Sequence, residues 1–272
     1  MAHADFPLTG DLPRRVEQDP LGEVSVPGNA LYGAQTQRAV DNFAISGLGP
    51  LASFVRAIVR IKRAAAVTHV GTKRLDVARG NAIIAAADEI LSGQHATQFV
   101  VDVYQAGAGT SLNMNANEVI ANRANEILGT PRGSYAPVHP NDHVNMAQST
   151  NDVIPTAMRL AVLDELGALT SALVGLQRAL SGKAGEFAEI VKAGRTHLQD
   201  AMPIRLGQEF GGWAGSIERA TRRIAEAADY LRDMGIGGTA VGTGVNAELL
   251  YQSEVNDGAG PWFHPAPGEV VP

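Results

Sequence analysis

Apolar residues recur every three or four positions along most of the chain, and this spacing predicts a mainly helical protein. A first helix is expected after Leu51. Its apolar face is formed by Phe54, Val55, Ile58, Ile61 and Ala65. The cationic residues of this stretch are expected largely outside that face; they are Arg56, Arg60 and Lys62.

Two further helices are expected before residue 130. One runs from about Asp76, whose side chain suits an N-cap, to Leu91, and Gly93 ends it. The other is expected over residues 116–128, ahead of a glycine and a proline that stop helices.

The clearest helix is expected after Asp152, with Pro155 in its first turn, where a missing N–H costs nothing. Leucine then recurs over about six helical turns. This leucine stripe comprises Leu160, Leu163, Leu166, Leu169, Leu173, Leu176 and Leu180. Ser181-Gly182 is expected to interrupt it, and another long helix is expected over residues 206–234. Two long helices joined by a polar loop are typical of a helical bundle.

The predicted fold class is therefore mainly α, with a small β element. Residues 1–20 are expected to form a loose lead-in, and residues 21–48 a loop with a small hairpin. We predict an N-terminal domain over residues 1–148 and a partial, truncated bundle over residues 149–272. An irregular tail is expected from about position 248, because the last seventeen residues contain four prolines and three glycines.

Composition narrows the function. The 272 residues contain no cysteine and carry a formal net charge of −6, without a basic stripe that would favour nucleic-acid binding. The first residues lack the apolar core of a signal peptide, and no apolar run approaches the roughly 18 residues of a membrane-spanning helix. We therefore expect a cytoplasmic protein with neither a nucleic-acid nor a membrane partner.

The first of three elaborate polar loops is QAGAGTS, at residues 105–111. Gly107 and Gly109 permit unusual backbone angles and close approach of a ligand, while Thr110 and Ser111 offer hydroxyls. The loop lacks the lysine of a P-loop and the glycine spacing of a dinucleotide site. A plain glycine turn with hydroxyl caps is the alternative.

The second loop, HPNDHVNMAQSTND, directly precedes the leucine-striped helix. The unpaired N–H groups of a helix start, together with Ser149, Thr150 and Asn151, predict a site for a carboxylate. N-capping is the alternative, although four consecutive polar residues exceed its needs. His139 and His143 have two alternative roles, a structural hydrogen bond and a chemical role, and the structural one is expected at least as strongly.

The third loop, GRTHLQDAMP, precedes the last long helix. His197 is the best acid–base candidate by residue type, and it lies close in sequence to Thr196 and Asp200. No metal site is expected, because no pair of ligand residues has a convincing spacing. A nucleophilic serine is not expected either, since the G-x-S-x-G elbow does not occur.

In this combination and order, GAGTSLNMNANEV, HPNDHVNMAQSTND and GRTHLQDAMPIRLGQEF resemble the aspartase/fumarase superfamily. The similarity begins at Leu21 and extends to Asn246. The resemblance implies mainly helical homotetramers in which three subunits contribute loops to each active site. It also implies addition of a small group across the C–C bond of fumarate, or its removal, without a cofactor. The implied partner is a small dicarboxylate.

The resemblance also implies roles for individual residues. Substrate-binding positions are matched by Thr110, Ser149, Thr150, Asn151, Thr196 and His197. A secondary anion site of the fumarase branch is matched by His139, Asn141 and Asp142. Neutral donors suit this chemistry, because removing a proton beside a carboxylate creates an extra negative charge that such donors stabilise in the transition state.

Two details concern the branch and the activity. Fumarases typically have serine between the two glycines of the first loop and glutamine after its threonine, whereas Ala108 and Ser111 resemble aspartase. HPND resembles fumarase, and aspartate ammonia-lyase is favoured over fumarate hydratase. The family's general base is a serine in a GSSxMPxKxNP loop, which these 272 residues lack. We therefore expect this chain to be inactive alone, with His197 as a conceivable substitute base, or to be a non-catalytic dicarboxylate-binding or assembly fragment.

Overall fold

The computed structural model describes residues 13–248, 250–259 and 264–265. It divides into two compact units. Unit 1 comprises Met1–Ala161 and Asp233–Pro272, and unit 2 comprises Val162–Arg232. Helices dominate both units, which confirms the mainly α prediction. The proposed domain division at residue 148 stays a prediction.

Unit 1 opens with a β-hairpin. Strands β1 (Arg14–Asp19) and β2 (Gly22–Pro27) are antiparallel, and Val24 and Val26 are buried. The hairpin therefore begins within the segment that was expected to be a loose lead-in, and that expectation is wrong for β1. Period-2 burial on β2 was masked in the sequence by the surrounding glycines and prolines.

Helices α1 (Ala34–Asn42), α2 (Ala52–Gly71), α3 (Val77–Leu91) and α4 (Thr110–Ile127) follow. Helix α2 packs against α3, and α4 packs against α3 and α1. The predicted N-cap is confirmed, because the Asp76 carboxylate accepts a hydrogen bond from the Arg79 amide at 3.0 Å.

Helix α4 begins six residues before the predicted start, at Thr110. Its N-terminus is held by Gln105, whose side-chain oxygen accepts a hydrogen bond from the Leu112 amide at 2.7 Å. Polar residues fill the first turns of this helix and are buried, so an apolar period could not reveal them.

The placement of Lys62 outside the apolar face of α2 is wrong. Its side chain is fully buried. Lys62 follows Ile58 by four residues, which is little more than one helical turn, so both side chains lie on nearly the same face. Ile58, Ile61 and Ala65 are buried as predicted.

Helix α5 runs from Thr150 to Glu186. It begins before Pro155, which lies inside the helix beyond its first turn, and it continues through Ser181-Gly182 without a break. Two small residues cost only about 1 kcal/mol or less each in helix propensity, which the rest of a long helix can offset. The predicted start and the predicted interruption are both wrong.

The last part of unit 1 is more regular than expected. Strand β5 (Asp233–Met234) pairs in parallel with β6 (His264–Pro265), and helix α7 (Tyr251–Ala259) packs against α2. The Tyr251 ring stacks on His69, with ring centroids 5.0 Å apart. An irregular tail from about 248 is therefore wrong for α7. The rest of that tail, residues 249, 260–263 and 266–272, lies outside the described residues.

Unit 2 contains the remainder of α5, strands β3 (Val191–Thr196) and β4 (Gln199–Arg205), and helix α6 (Leu206–Tyr230). The predicted start of the last long helix is confirmed, but the helix ends at Tyr230 rather than at residue 234. Phe187, Phe210 and Trp213 form an aromatic row with successive centroids 5.2 and 5.0 Å apart.

The leucine stripe of α5 is buried at Leu160, whereas Leu169 and Leu176 are each 46% exposed. By length and composition, α5 is also the one helix among the described residues that could cross a membrane. The expectation that no such helix exists is wrong. A helix from a bundle core meets the same two criteria, so these properties alone do not indicate a membrane.

Candidate active site

The starts of α4 and α5 meet in unit 1. Gly109 precedes α4 with a φ of +81°, and a Cβ added there would lie 3.0 Å from the Ile154 side chain on α5. Thr150 is the first residue of α5, and its hydroxyl oxygen lies 3.4 Å from the side-chain amide nitrogen of Asn113 on α4. The first two polar loops are therefore neighbours, and the positive ends of two helix dipoles lie close together.

The residues at the start of α5 divide between capping and free donors. The Ser149 hydroxyl accepts a hydrogen bond from the Asn151 amide at 3.2 Å, and Asp152 accepts one from the Ser149 amide at 2.9 Å. This reciprocal pair accounts for Ser149 and Asp152 as caps. Thr150 is half-buried beside Asn113, and its hydroxyl is not used in that pair.

Asn151 and Asp152 join the start of α5 to the glycine-rich segment at residues 235–244, which precedes α7. The exposed Asn151 donates its side-chain amide to the Ala240 carbonyl at 2.7 Å. The buried Asp152 carboxylate accepts hydrogen bonds from the Gly237 and Thr239 amides at 3.1 and 2.9 Å. Burial raises the pKa of Asp152, and the backbone donors oppose that rise. The glycine-rich segment is thus held directly against the helix start.

Thr110 lies at the start of α4 and is exposed, while its neighbour Ser111 is buried. Thr110 and Thr150 offer hydroxyls at two adjacent helix starts, and the Asn151 side-chain amide has a second hydrogen beyond the one donated to Ala240. This arrangement can bind a carboxylate through backbone N–H groups and side-chain donors without any group that must titrate.

The sequence interpretation missed the buried polar support under this site. Lys62 donates from Nζ to the Asn145 side-chain oxygen at 3.2 Å and to the Gln148 side-chain oxygen at 3.1 Å. Burial lowers the pKa of Lys62 to about 7, and the charge of Asp152 opposes that shift. A lysine four residues after Ile58, on an apolar face, was the available signal.

The residues matched to a secondary anion site form a tight turn at Pro140–Val144. The Nδ1 atom of His139 accepts hydrogen bonds from the Asn141 and Asp142 amides, both at 3.2 Å. Asn141 and Asp142 are exposed. His143 accepts from the His139 amide at 2.8 Å, and burial lowers its pKa. Backbone hydrogen bonds thus engage Nδ1 of both histidines, as the structural alternative expected.

Thr196 and His197 lie in unit 2, not in the unit that contains the two helix starts. Both are exposed at the tip of the β3–β4 hairpin. The turn residues His197 and Leu198 have φ values of 48° and 63°, where glycine or asparagine is preferred. The third polar loop is therefore a strained hairpin tip, and the role of His197 stays a proposal.

This strain predicts a stabilising substitution. Leu198→Gly is expected to raise the free energy of unfolding by about 1 kcal/mol, because it removes the cost of a left-handed leucine that is 92% exposed. Urea unfolding of the protein at its full natural length measures the change. Met202→Gly, on the exposed part of β4, is the matched control and should lower stability. A Leu198→Gly protein less stable than the parent would contradict the assignment of strain.

In the part of the chain that the structure describes, no three His, Cys, Asp or Glu side chains form a group that could hold a metal ion. The chemistry available at the two helix starts is anion binding by neutral donors.

Comparison with known proteins decides the family. A family model described as lyase matches residues 22–260. The chain belongs to the aspartase/fumarase superfamily of lyases. Among the relatives of this lyase, class II fumarate hydratase of Halobacterium salinarum is 55% identical over 233 residues. Aspartate ammonia-lyase of Bacillus subtilis is 48% identical over 248 residues.

Solved structures agree with this assignment. A crystal structure of a fumarate lyase:delta crystallin from Brucella melitensis bound to cobalt matches 95% of the lyase chain with a TM-score of 0.89 and 48% identity, over 57% of its own length. A class II fumarase from Schistosoma mansoni matches 94% of the chain with a TM-score of 0.86, 35% identity and 58% coverage of its own length.

The chain spans about half the length of the curated relatives that it matches. The alignment with the Halobacterium protein includes 85% of this chain and 49% of that protein. The alignment with the Bacillus protein includes 91% of this chain and 52% of that protein. The names of the relatives divide between a carbon–oxygen and a carbon–nitrogen lyase, so the comparisons establish the lyase family and leave its substrate to the residues of the site.

Proposed function

We propose that the protein at its full natural length reversibly eliminates ammonia from L-aspartate to give fumarate. The observation that carries this proposal is the meeting of the α4 and α5 starts, with Asn113 3.4 Å from Thr150. Two helix starts supply several N–H donors and partial positive charge, which suits a dicarboxylate. Ala108 and Ser111 in the first loop favour the ammonia-eliminating branch.

In this proposal the chain holds substrate while a base removes a proton beside one carboxylate. Thr110, Ser149, Thr150 and Asn151 bind that carboxylate, and the Ser149 hydroxyl oxygen also caps the start of α5. The extra charge that develops on the carboxylate is stabilised by these fixed donors. By the family resemblance, Thr196 and His197 are substrate-binding residues, and His139, Asn141 and Asp142 form a secondary anion site.

Assembly and location follow the family resemblance. We expect a cytoplasmic homotetramer in which neighbouring subunits cover the exposed leucines of α5. The half-exposed Leu169 and Leu176 support such burial, since long apolar stripes on helices are normally covered.

Fumarate hydration is the second candidate. It is favoured by HPND in the second loop and by 55% identity to the fumarate hydratase of Halobacterium salinarum. Water and ammonia add to the same double bond, so the carboxylate donors described above serve either reaction.

Parallel assays with aspartate and with malate test the proposal. We expect fumarate and ammonia to form from aspartate with the protein at its full natural length. The 272-residue chain alone is expected to show no turnover, because it lacks a GSSxMPxKxNP loop to supply the base. Interconversion of malate and fumarate without ammonia release would reject the aspartase proposal in favour of the second candidate.

A further inference from the structure

A buried lysine lies beneath the proposed carboxylate site. Lys62 is on α2, is fully buried, and donates to two neutral amide oxygens, those of Asn145 and Gln148. Both acceptors belong to the loop that leads into α5. Burying an amine costs several kcal/mol unless its hydrogen bonds are satisfied, so its retention in a helical core calls for a reason.

The hydrogen bonds of Lys62 continue to the helix start. The Asn145 side-chain oxygen that accepts from Lys62 lies 3.3 Å from the Asn113 amide nitrogen. The same nitrogen lies 3.4 Å from the Thr150 hydroxyl. Lys62, Asn145, Asn113 and Thr150 therefore form one connected polar row from the core to the start of α5. The second acceptor, Gln148, is two residues before Thr150.

We propose that Lys62 is a positioning residue of the lyase reaction, which acts through Asn145 and Asn113 to fix the Thr150 hydroxyl for substrate binding. This inference rests on the proposed function of the α4 and α5 starts. Lys62 does not touch the substrate. It serves as a hydrogen-bond donor in both its ammonium and amine forms, so the support for Asn145 persists across protonation states.

The row explains why an apolar side chain would not serve at position 62. Without the lysine donor, the Asn145 side-chain oxygen keeps its contact with the Asn113 side-chain amide at 3.3 Å. The Gln148 side-chain oxygen loses its hydrogen bond from Nζ. A buried acceptor left without its donor costs free energy, so the loop would rearrange to find another partner. Since Thr150 follows this loop directly, its hydroxyl would leave the position that the substrate requires.

Lys62→Met in the protein at its full natural length tests the proposal. We expect kcat/KM, measured with whichever of aspartate or malate the parent protein turns over, to fall at least ~10-fold, as expected for losing a hydrogen bond to a charged group. A displaced Thr150 should raise KM. A purely structural role would instead reduce the fraction of folded enzyme, which lowers the apparent kcat and leaves KM unchanged.

A double-mutant cycle with Thr150→Val separates direct positioning from general damage. If Lys62 acts through the Thr150 hydroxyl, Lys62→Met should have little further effect on kcat/KM in the Thr150→Val background. Equal losses in both backgrounds would overturn the inference. Asn145→Ala breaks the row without removing the lysine. It should reproduce the rise in KM, and it decides the question if Lys62→Met does not fold.

Arg63→Met is the matched control. Arg63 follows Lys62 on α2, but its side chain is 36% exposed and pairs with Asp88 at 2.6 Å. Its substitution should leave kcat/KM unchanged. Failure of the parent protein to turn over either substrate would reject the proposed function. Turnover by the parent with an unchanged KM in folded Lys62→Met would reject the role of Lys62 alone.

Discussion

Thr150→Val in the protein at its full natural length is expected to lower kcat/KM by roughly 30- to 900-fold, which is about 2–4 kcal/mol of transition-state stabilisation. Valine keeps the shape of threonine and removes its hydroxyl. That hydroxyl lies at the first residue of α5, half-buried, with its oxygen 3.4 Å from the Asn113 amide nitrogen. Steady-state kinetics with aspartate, and with malate for the second candidate, provide the measurement.

Thr156→Val is the control for this substitution. Thr156 is on the same helix and is buried, and its hydroxyl has no hydrogen-bond partner in the described part of the chain. Its replacement should leave kcat/KM unchanged and should not lower stability, because valine removes a buried polar atom that gains little from folding. Near-normal turnover in Thr150→Val, with normal folding, would remove Thr150 from the proposed site.

Glu118→Ala is expected to lower the free energy of unfolding by about 3–5 kcal/mol. The buried Glu118 carboxylate on α4 accepts four hydrogen bonds at the start of α1. Its donors are the amides of Gly33, Gln35 and Thr36, at 2.9, 2.9 and 3.0 Å, and the Thr36 hydroxyl at 2.6 Å. Alanine would leave these donors without their acceptor inside the protein.

Urea unfolding of the full-length protein measures this loss. Glu126→Ala is the matched control on the same helix, since Glu126 pairs near the surface with Arg123, at 2.9 Å, and with Arg132. It should cost about 1 kcal/mol or less, as partly exposed ion pairs do. Equal losses from the two substitutions would show that the buried cap contributes no more than a surface pair.

The hydrogen bonds of Glu118 show why the sequence alone did not reveal this buried residue. Burial raises the pKa of this carboxyl, while the Thr36 hydroxyl and the three amides oppose the rise. The partners stand more than eighty positions away along the chain. Helical periodicity could not predict α4 from its start, because its buried positions include glutamate and several asparagines that are stabilised by such distant contacts.

Elements with strong local signals were predictable. Val55, Ile58, Ile61 and Ala65 are buried on α2 as predicted, and the Asp76 cap of α3 and the start of α6 at Leu206 occur where the sequence placed them. Short elements were not: six of the nine residues of α1 have polar side chains, and α7 lies beside a run of glycine and proline. Elements of this length have little stability alone and form because they pack against neighbours, α7 against α2 and α1 against α4.

The sequence by itself determined the helical class, the family and the identity of the polar loops, because each of these is carried by residue types at fixed local spacing. Only the tertiary structure decided that the first and second loops meet, that Ser149 serves as a cap, and that His197 lies at a hairpin tip in unit 2. It also decided that Lys62 is buried beneath the start of α5. The physical reason is that hydrogen-bond partners distant in sequence can satisfy a buried polar group, and periodicity contains no information about those partners.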